Sequence, residues 1–155
     1  MSSAITSARI SAEWRTLAEA RCGDLGERLT PARLGAYAEL LAAKRSLSAY
    51  ELIERLEKRQ KRKIAPLTVY RHLDFLTRVG LVHRIESTQS YLPCDHLDHH
   101  PHESQYLLCA DCGSVQEVHS PDLEAVLLQI AQKRGFTPHK AIVEVSGLCE
   151  VCAAR

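Results

Sequence analysis

Two Cys-x-x-Cys pairs, Cys109-Ala-Asp-Cys112 and Cys149-Glu-Val-Cys152, constrain this chain more than any other feature. A pair at that spacing chelates one face of a tetrahedral ion and a second pair closes it, so the repeat, with Gly113 after the first pair, predicts a Zn2+ site with four thiolate ligands. Four thiolates leave no open coordination position, which makes the site structural. It staples the segment at Cys149 to the turn at Cys109, in a region of about 60 residues where a core alone gives marginal stability. Two independent redox pairs are the alternative, disfavoured by the repeated spacing and the glycine. Disulfides are disfavoured too: Met1–Arg9 lacks the apolar stretch of a secretory signal and no run of about 18 apolar residues occurs, so a reducing cytoplasm is expected, with no membrane partner.

Charge changes sign along the chain. Residues 1–93 carry sixteen Lys and Arg against ten Asp and Glu, a net +6, whereas residues 94–155 carry four against nine, a net −5. Five of the six Cys and six of the eight His also fall at or after position 94. With 45% apolar residues the 155-residue chain can bury one ordinary core or two small ones, and this asymmetry favours two: a basic first part and a soft-ligand second part.

Local signals predict four helices in the first part. Ser11 precedes a segment with Trp14, Leu17, Ala18 and Arg21 on one face, broken by Gly23 and Gly26. Thr30-Pro31 reads as an N-cap with proline at the first helical position, followed by Leu34, Ala38 and Leu41. Ser48 and Glu51 match a capping box ahead of Leu52, Ile53 and Leu56. After the basic run 58–63 and Pro66, Val69, Leu73, Leu76 and Val79 recur at helical spacing until Gly80. Residues 81–86 and 90–93 then alternate as a hairpin, so the expected architecture is a winged helix-turn-helix over residues 1–93. Beyond a hinge at 94–103, residues 104–155 predict a small α/β domain. It has a hairpin around the first Cys pair, a helix over 121–134 with Leu123, Val126, Leu127 and Ile130 on one face, and a strand over 141–145. The fold class is α/β in the mixed, α+β sense.

A second metal centre is suggested by the residues left over. His83, Cys94, His96, His99, His100, His102, Glu117 and His119 are candidates, and spacing alone does not choose among them. A thiolate with imidazoles favours a borderline-soft ion such as Zn2+ over ions that prefer oxygen, which makes Cys94 the anchor. On the fourth helix, Thr68, Tyr70, Arg71 and Arg78 lie off the apolar stripe. An Arg there can donate two bonds to guanine O6 and N7, a Tyr can pack on thymine methyls, and the basic excess supplies a phosphate-binding footprint.

Thr68-Val-Tyr-Arg71, the Leu-rich stretch to Gly80-Leu-Val, and Cys109-x-x-Cys112-Gly resemble the ferric uptake regulator family over nearly the whole chain. The run His83-Arg-Ile-Glu-Ser-Thr-Gln-Ser-Tyr-Leu-Pro-Cys94 is most similar to its zinc uptake regulator branch. The resemblance implies a homodimeric repressor of zinc-uptake genes that binds double-stranded operator DNA when zinc is bound. It assigns a sensing site to His83, Cys94, His102 and Glu117, the structural site to Cys109, Cys112, Cys149 and Cys152, and base contacts to Tyr50 and Arg71. Two Zn2+ per chain follow, with a third open to the remaining histidines. Ser104 and Tyr106 stand where iron-type members place further histidines, which argues against an iron or peroxide sensor.

Three other readings compete. A zinc hydrolase or deaminase needs an open coordination position and a general base, and neither His-Glu-x-x-His nor His-x-Glu with Pro-Cys-x-x-Cys occurs, so no enzyme and no small-molecule substrate are expected. A regulator of the same family sensing another metal, and a zinc-stapled adaptor that binds protein, are the remaining alternatives. Salt-sensitive binding to duplex DNA separates the adaptor from a DNA-binding protein.

Overall fold

The computed structural model describes residues 11–95, 97 and 104–155, in two compact units, Met1–Asp98 and His99–Arg155. His96, His99, His100 and His102 lie outside the described residues.

The first unit runs α1 (Ala12–Asp24), α2 (Pro31–Ala43), β1 (Leu47–Ser48), α3 (Ala49–Gln60), α4 (Pro66–Arg78), β2 (Val82–Ile85) and β3 (Ser90–Pro93). Each of the first three helices begins where a side-chain oxygen accepts an otherwise orphan N–H: Ser11 from Trp14, Thr30 from Arg33, and Ser48 from Glu51. At Ser48 the capping box is complete, since the Glu51 carboxylate accepts from the Ser48 N–H at 2.8 Å. At the far end of α4, Gly80 takes a φ of 74° and Leu81 N–H donates to Leu76 C=O at 2.9 Å, a glycine-dependent stop that turns the chain into β2.

The hairpin β2–β3 is antiparallel, with His83 opposite Leu92 and Arg84 opposite Tyr91. The two-residue β1 extends it into a three-stranded sheet in the order β1-β3-β2, pairing Leu47 with Tyr91. The core is made by Tyr37 and Leu40 of α2, Leu52 of α3, Val69, Leu73 and Leu76 of α4, and Leu47, Leu81 and Val82 from the sheet side. The buried faces differ from the expected ones in two helices. On α2 Tyr37, Leu40 and Leu41 are buried, while Leu34 and Ala38 are only partly so. On α1 Ala18 and Cys22 are buried and Leu17 is 42% exposed. Burial raises the Cys22 thiol pKa, which suits a packing role.

The second unit runs β4 (Ser104–Cys109), β5 (Val115–Val118), α5 (Pro121–Lys133), β6 (Ile142–Gly147) and α6 (Glu150–Ala153). Strand order is β5-β4-β6. β4 and β5 form the hairpin, and β6 returns through α5 to pair with β4 in parallel, as a crossover connection requires. Tyr106 and Leu108 are buried, but the apolar residues of α5 are not: no α5 residue is buried, and Val126 and Ile130 are 49% and 54% exposed. Among the described residues no helix is long and apolar enough to cross a membrane.

Candidate metal centres and nucleic-acid interface

The parallel pairing of β4 with β6 carries the two Cys-x-x-Cys motifs to the same end of the sheet. Cys109 is the last residue of β4, opposite Gly147 at the end of β6, and Ala110 N–H donates to Gly147 C=O at 2.8 Å. Gly113, at φ 70°, closes the knuckle, with its N–H on Cys109 C=O at 3.0 Å and Cys109 N–H on Ser114 C=O at 2.9 Å. All four Sγ atoms of Cys109, Cys112, Cys149 and Cys152 lie within 4.8 Å of one another. Cys112 Sγ and Cys149 Sγ are 3.8 Å apart. A tetrahedral Zn2+ with Zn–S bonds of about 2.3 Å has S···S edges of about 3.8 Å, so the thiols fit that ion. Backbone N–H groups aimed at the sulfurs favour the ligating thiolate form. Those of Cys112 and Cys149 lower the Cys109 pKa to about 6, and the Ser114 hydroxyl lowers that of Cys112. Cys152 goes the other way, raised first by Asp111.

In the first unit, His83 on β2 and Cys94 just past β3 are brought together. Their ligand atoms lie within 4.8 Å of each other, and both residues are buried. Cys94 is held by its N–H on Leu81 C=O at 3.0 Å. Tyr37 of α2 is fully buried. Burial first, and Cys94 second, push its phenol well above the ordinary value and keep it neutral. Glu117 is placed in the second unit, on β5 opposite Tyr106. His102 is outside the described residues, and His119 pairs with Glu124 at 3.4 Å.

The N-terminal turns of α3 and α4 present the candidate nucleic-acid contacts. Tyr50, second in α3, is 71% exposed; on α4 Thr68, Tyr70 and Arg71 are all exposed. Glu57 fixes the entry to α4, accepting from Ile64 N–H at 3.0 Å and from Lys63 Nζ at 2.9 Å. The N-cap of α4, Ala65, has no side-chain bond, so the positive end of that helix dipole is left for an anion. Arg78 is not available in the same way, because its guanidinium is committed to Glu27 and lies 5.5 Å from the Phe75 ring centre. Leu67, also exposed on this turn, is not singled out by sequence, since a leucine in a helical run reads as core.

A winged helix-turn-helix joined to a cysteine-stapled α/β unit defines a class of metal-dependent regulators, and the chain belongs to one family of them. The Ferric uptake regulator family model matches residues 24–146, and the chain is a member of that family. It is 37% identical to the Zinc uptake regulation protein of Escherichia coli (strain K12) over 87% of this chain and 78% of that protein. A solved zinc uptake regulator complexed with zinc and DNA superposes with a TM-score of 0.84 at 35% identity, over 94% of this chain and 97% of that one. A holo XcZur crystal structure gives 0.83 at 35% identity, over 92% and 99%. These relatives are regulatory proteins, not enzymes.

Proposed function

We propose that this protein is a cytoplasmic, zinc-responsive transcriptional repressor that binds operator DNA as a homodimer and controls zinc-uptake genes. The observation that carries this reading is the buried His83–Cys94 pair, an N/S ligand set built on the same unit that exposes Thr68, Tyr70 and Arg71. The sensing ligands are His83, Cys94, His102 and Glu117, and Cys109, Cys112, Cys149 and Cys152 hold a second, structural ion, giving two Zn2+ per chain. Tyr50, Thr68, Tyr70 and Arg71 contact DNA.

Residues 94–103 act as a hinge between the reading head, residues 1–93, and the dimerisation domain, residues 104–155. Ligands drawn from both sides of that hinge bind the ion best in one arrangement, so occupancy selects it. By linkage, operator DNA tightens zinc binding by the same factor. Dimerisation is supported by apolar groups of the second unit that stay about half exposed among the described residues, Val126, Ile130 and Val145 among them, which suit a second copy.

The test is DNA binding by purified protein across a buffered free-Zn2+ series, with Cys94→Ser alongside and zinc per chain counted. Wild type is expected to bind a specific duplex only as free zinc rises, and the variant to retain one ion per chain while losing that response. Binding that ignores zinc overturns the sensor reading, and no DNA binding at any zinc level favours a protein-binding adaptor.

A further inference from the structure

Leu67 is the second residue of α4 and keeps 62% of its surface exposed. Residues four apart on a helix lie one above the other, so Leu67 and Arg71 share a line. That line runs opposite the stripe buried at Val69, Leu73 and Leu76. Its far end is closed off by the Arg78–Glu27 pair. At its near end, among the described residues, no carboxylate pairs with Arg71. The centre of the exposed face thus carries one unengaged guanidinium and, one turn before it, one aliphatic side chain.

Base pairs in the major groove offer many hydrogen-bonding groups but a single kind of apolar group, the thymine C5 methyl. Recognition helices meet base edges with their N-terminal residues. We propose that Leu67 is a specificity-determining residue that packs on a thymine methyl beside the guanine to which Arg71 donates. This rests on the DNA-binding reading above. The spacing follows from helix geometry. One turn advances about 5.4 Å and one base pair about 3.4 Å, so the thymine lies one or two base pairs from that guanine. Thr68 and Tyr70 flank the pair, and Leu67 is the largest aliphatic side chain exposed on this turn, next to the smaller, also exposed Pro66.

The test starts from a duplex enriched by the zinc-loaded full chain from a random library. Each thymine is replaced in turn by deoxyuridine, which removes only the methyl, and each guanine by 7-deazaguanine, which removes N7. Wild type, Leu67→Ala and Arg71→Ala are titrated against the set. For wild type, one thymine per half-site is expected to cost about fourfold in affinity when its methyl is removed, the value of one buried methyl-sized group. In Leu67→Ala that sensitivity disappears while every other position responds as before. The sensitive thymine falls within two base pairs of the guanine whose 7-deaza form matters for wild type but not for Arg71→Ala. A Leu67→Ala profile identical to wild type, or a thymine elsewhere, overturns the assignment and leaves the repressor reading standing. Enrichment of no duplex at all sinks both.

Discussion

Arg21 Nε donates to the Val79 carbonyl at 2.9 Å, joining the last turn of α1 to the residue that ends α4. The acceptor is one of the carbonyls a helix leaves unsatisfied at its C-terminus, and the donor is a cation placed at the negative end of the helix dipole. A charge-assisted bond of this kind contributes about 1.5–3 kcal/mol, less where the pair is partly exposed. Arg21→Ala is expected to lower the stability of the first unit by about 1–2 kcal/mol in urea unfolding, with zinc per chain unchanged. A loss below a few tenths of a kcal/mol refutes the role.

Glu51 gives a pH prediction. The Arg45 guanidinium first, then the Ser48 backbone N–H, hold its carboxyl at about 2. A depressed folded-state pKa makes a contribution to stability that is fully present above the unfolded value near 4.5 and is lost as pH falls through about 2. Glu51→Gln should therefore cost about 1 kcal/mol at pH 7, and wild type and variant should converge between pH 4.5 and 2. A difference that stays constant with pH in that window excludes the ion pair and capping box as its source.

The thiol cluster of the second unit should behave as folding energy. Structural zinc sites supply on the order of 10 kcal/mol of apparent binding free energy. Cys149→Ser, or a strong chelator on wild type, is expected to abolish cooperative unfolding of residues 99–155, while α1–α4 keep their transition. Calorimetry with near-neutral competition for zinc reads this directly, and an unchanged second transition in the variant speaks against a staple.

Ile130 tests the exposed face of α5. Covering the exposed half of one isoleucine against a second copy is worth about 1 kcal/mol, and a two-fold interface contains it twice. Ile130→Glu is expected to sediment as a monomer with helix content intact. A dimer of unchanged dissociation constant places the interface elsewhere.

Much of the fold is legible from sequence because the signals that specify it are local. Ser11, Thr30, Ser48 and Gly80 each mark a helix end through a bond made within a few residues, and all four do so in the structure. β1 is not legible, since Leu47 and Ser48 are strand only by pairing with Tyr91 and Ser90, far away in sequence. The four-residue α6 is too short to show a period. Arg21 falls on the apolar face by its helical spacing alone, whereas its head reaches Val79, far away in sequence. The cysteine cluster is readable because a Cys-x-x-Cys spacing is already half a chelate. The engagement of Arg78 depends on Glu27, which sequence spacing does not connect to α4.

The pairing of β6 with β4 also sets an order of events during synthesis. The strand pairings of the first unit all lie within residues 1–98, so every partner they need is synthesised before residue 99. Cys112 must wait for Cys149, 37 residues later, before the second chelating pair exists. On a ribosome adding about 5–20 residues per second, the reading head is therefore complete seconds before the second unit can be stapled. The nascent chain acquires the surface that carries Tyr50, Thr68 and Arg71 first and its thiol cluster last.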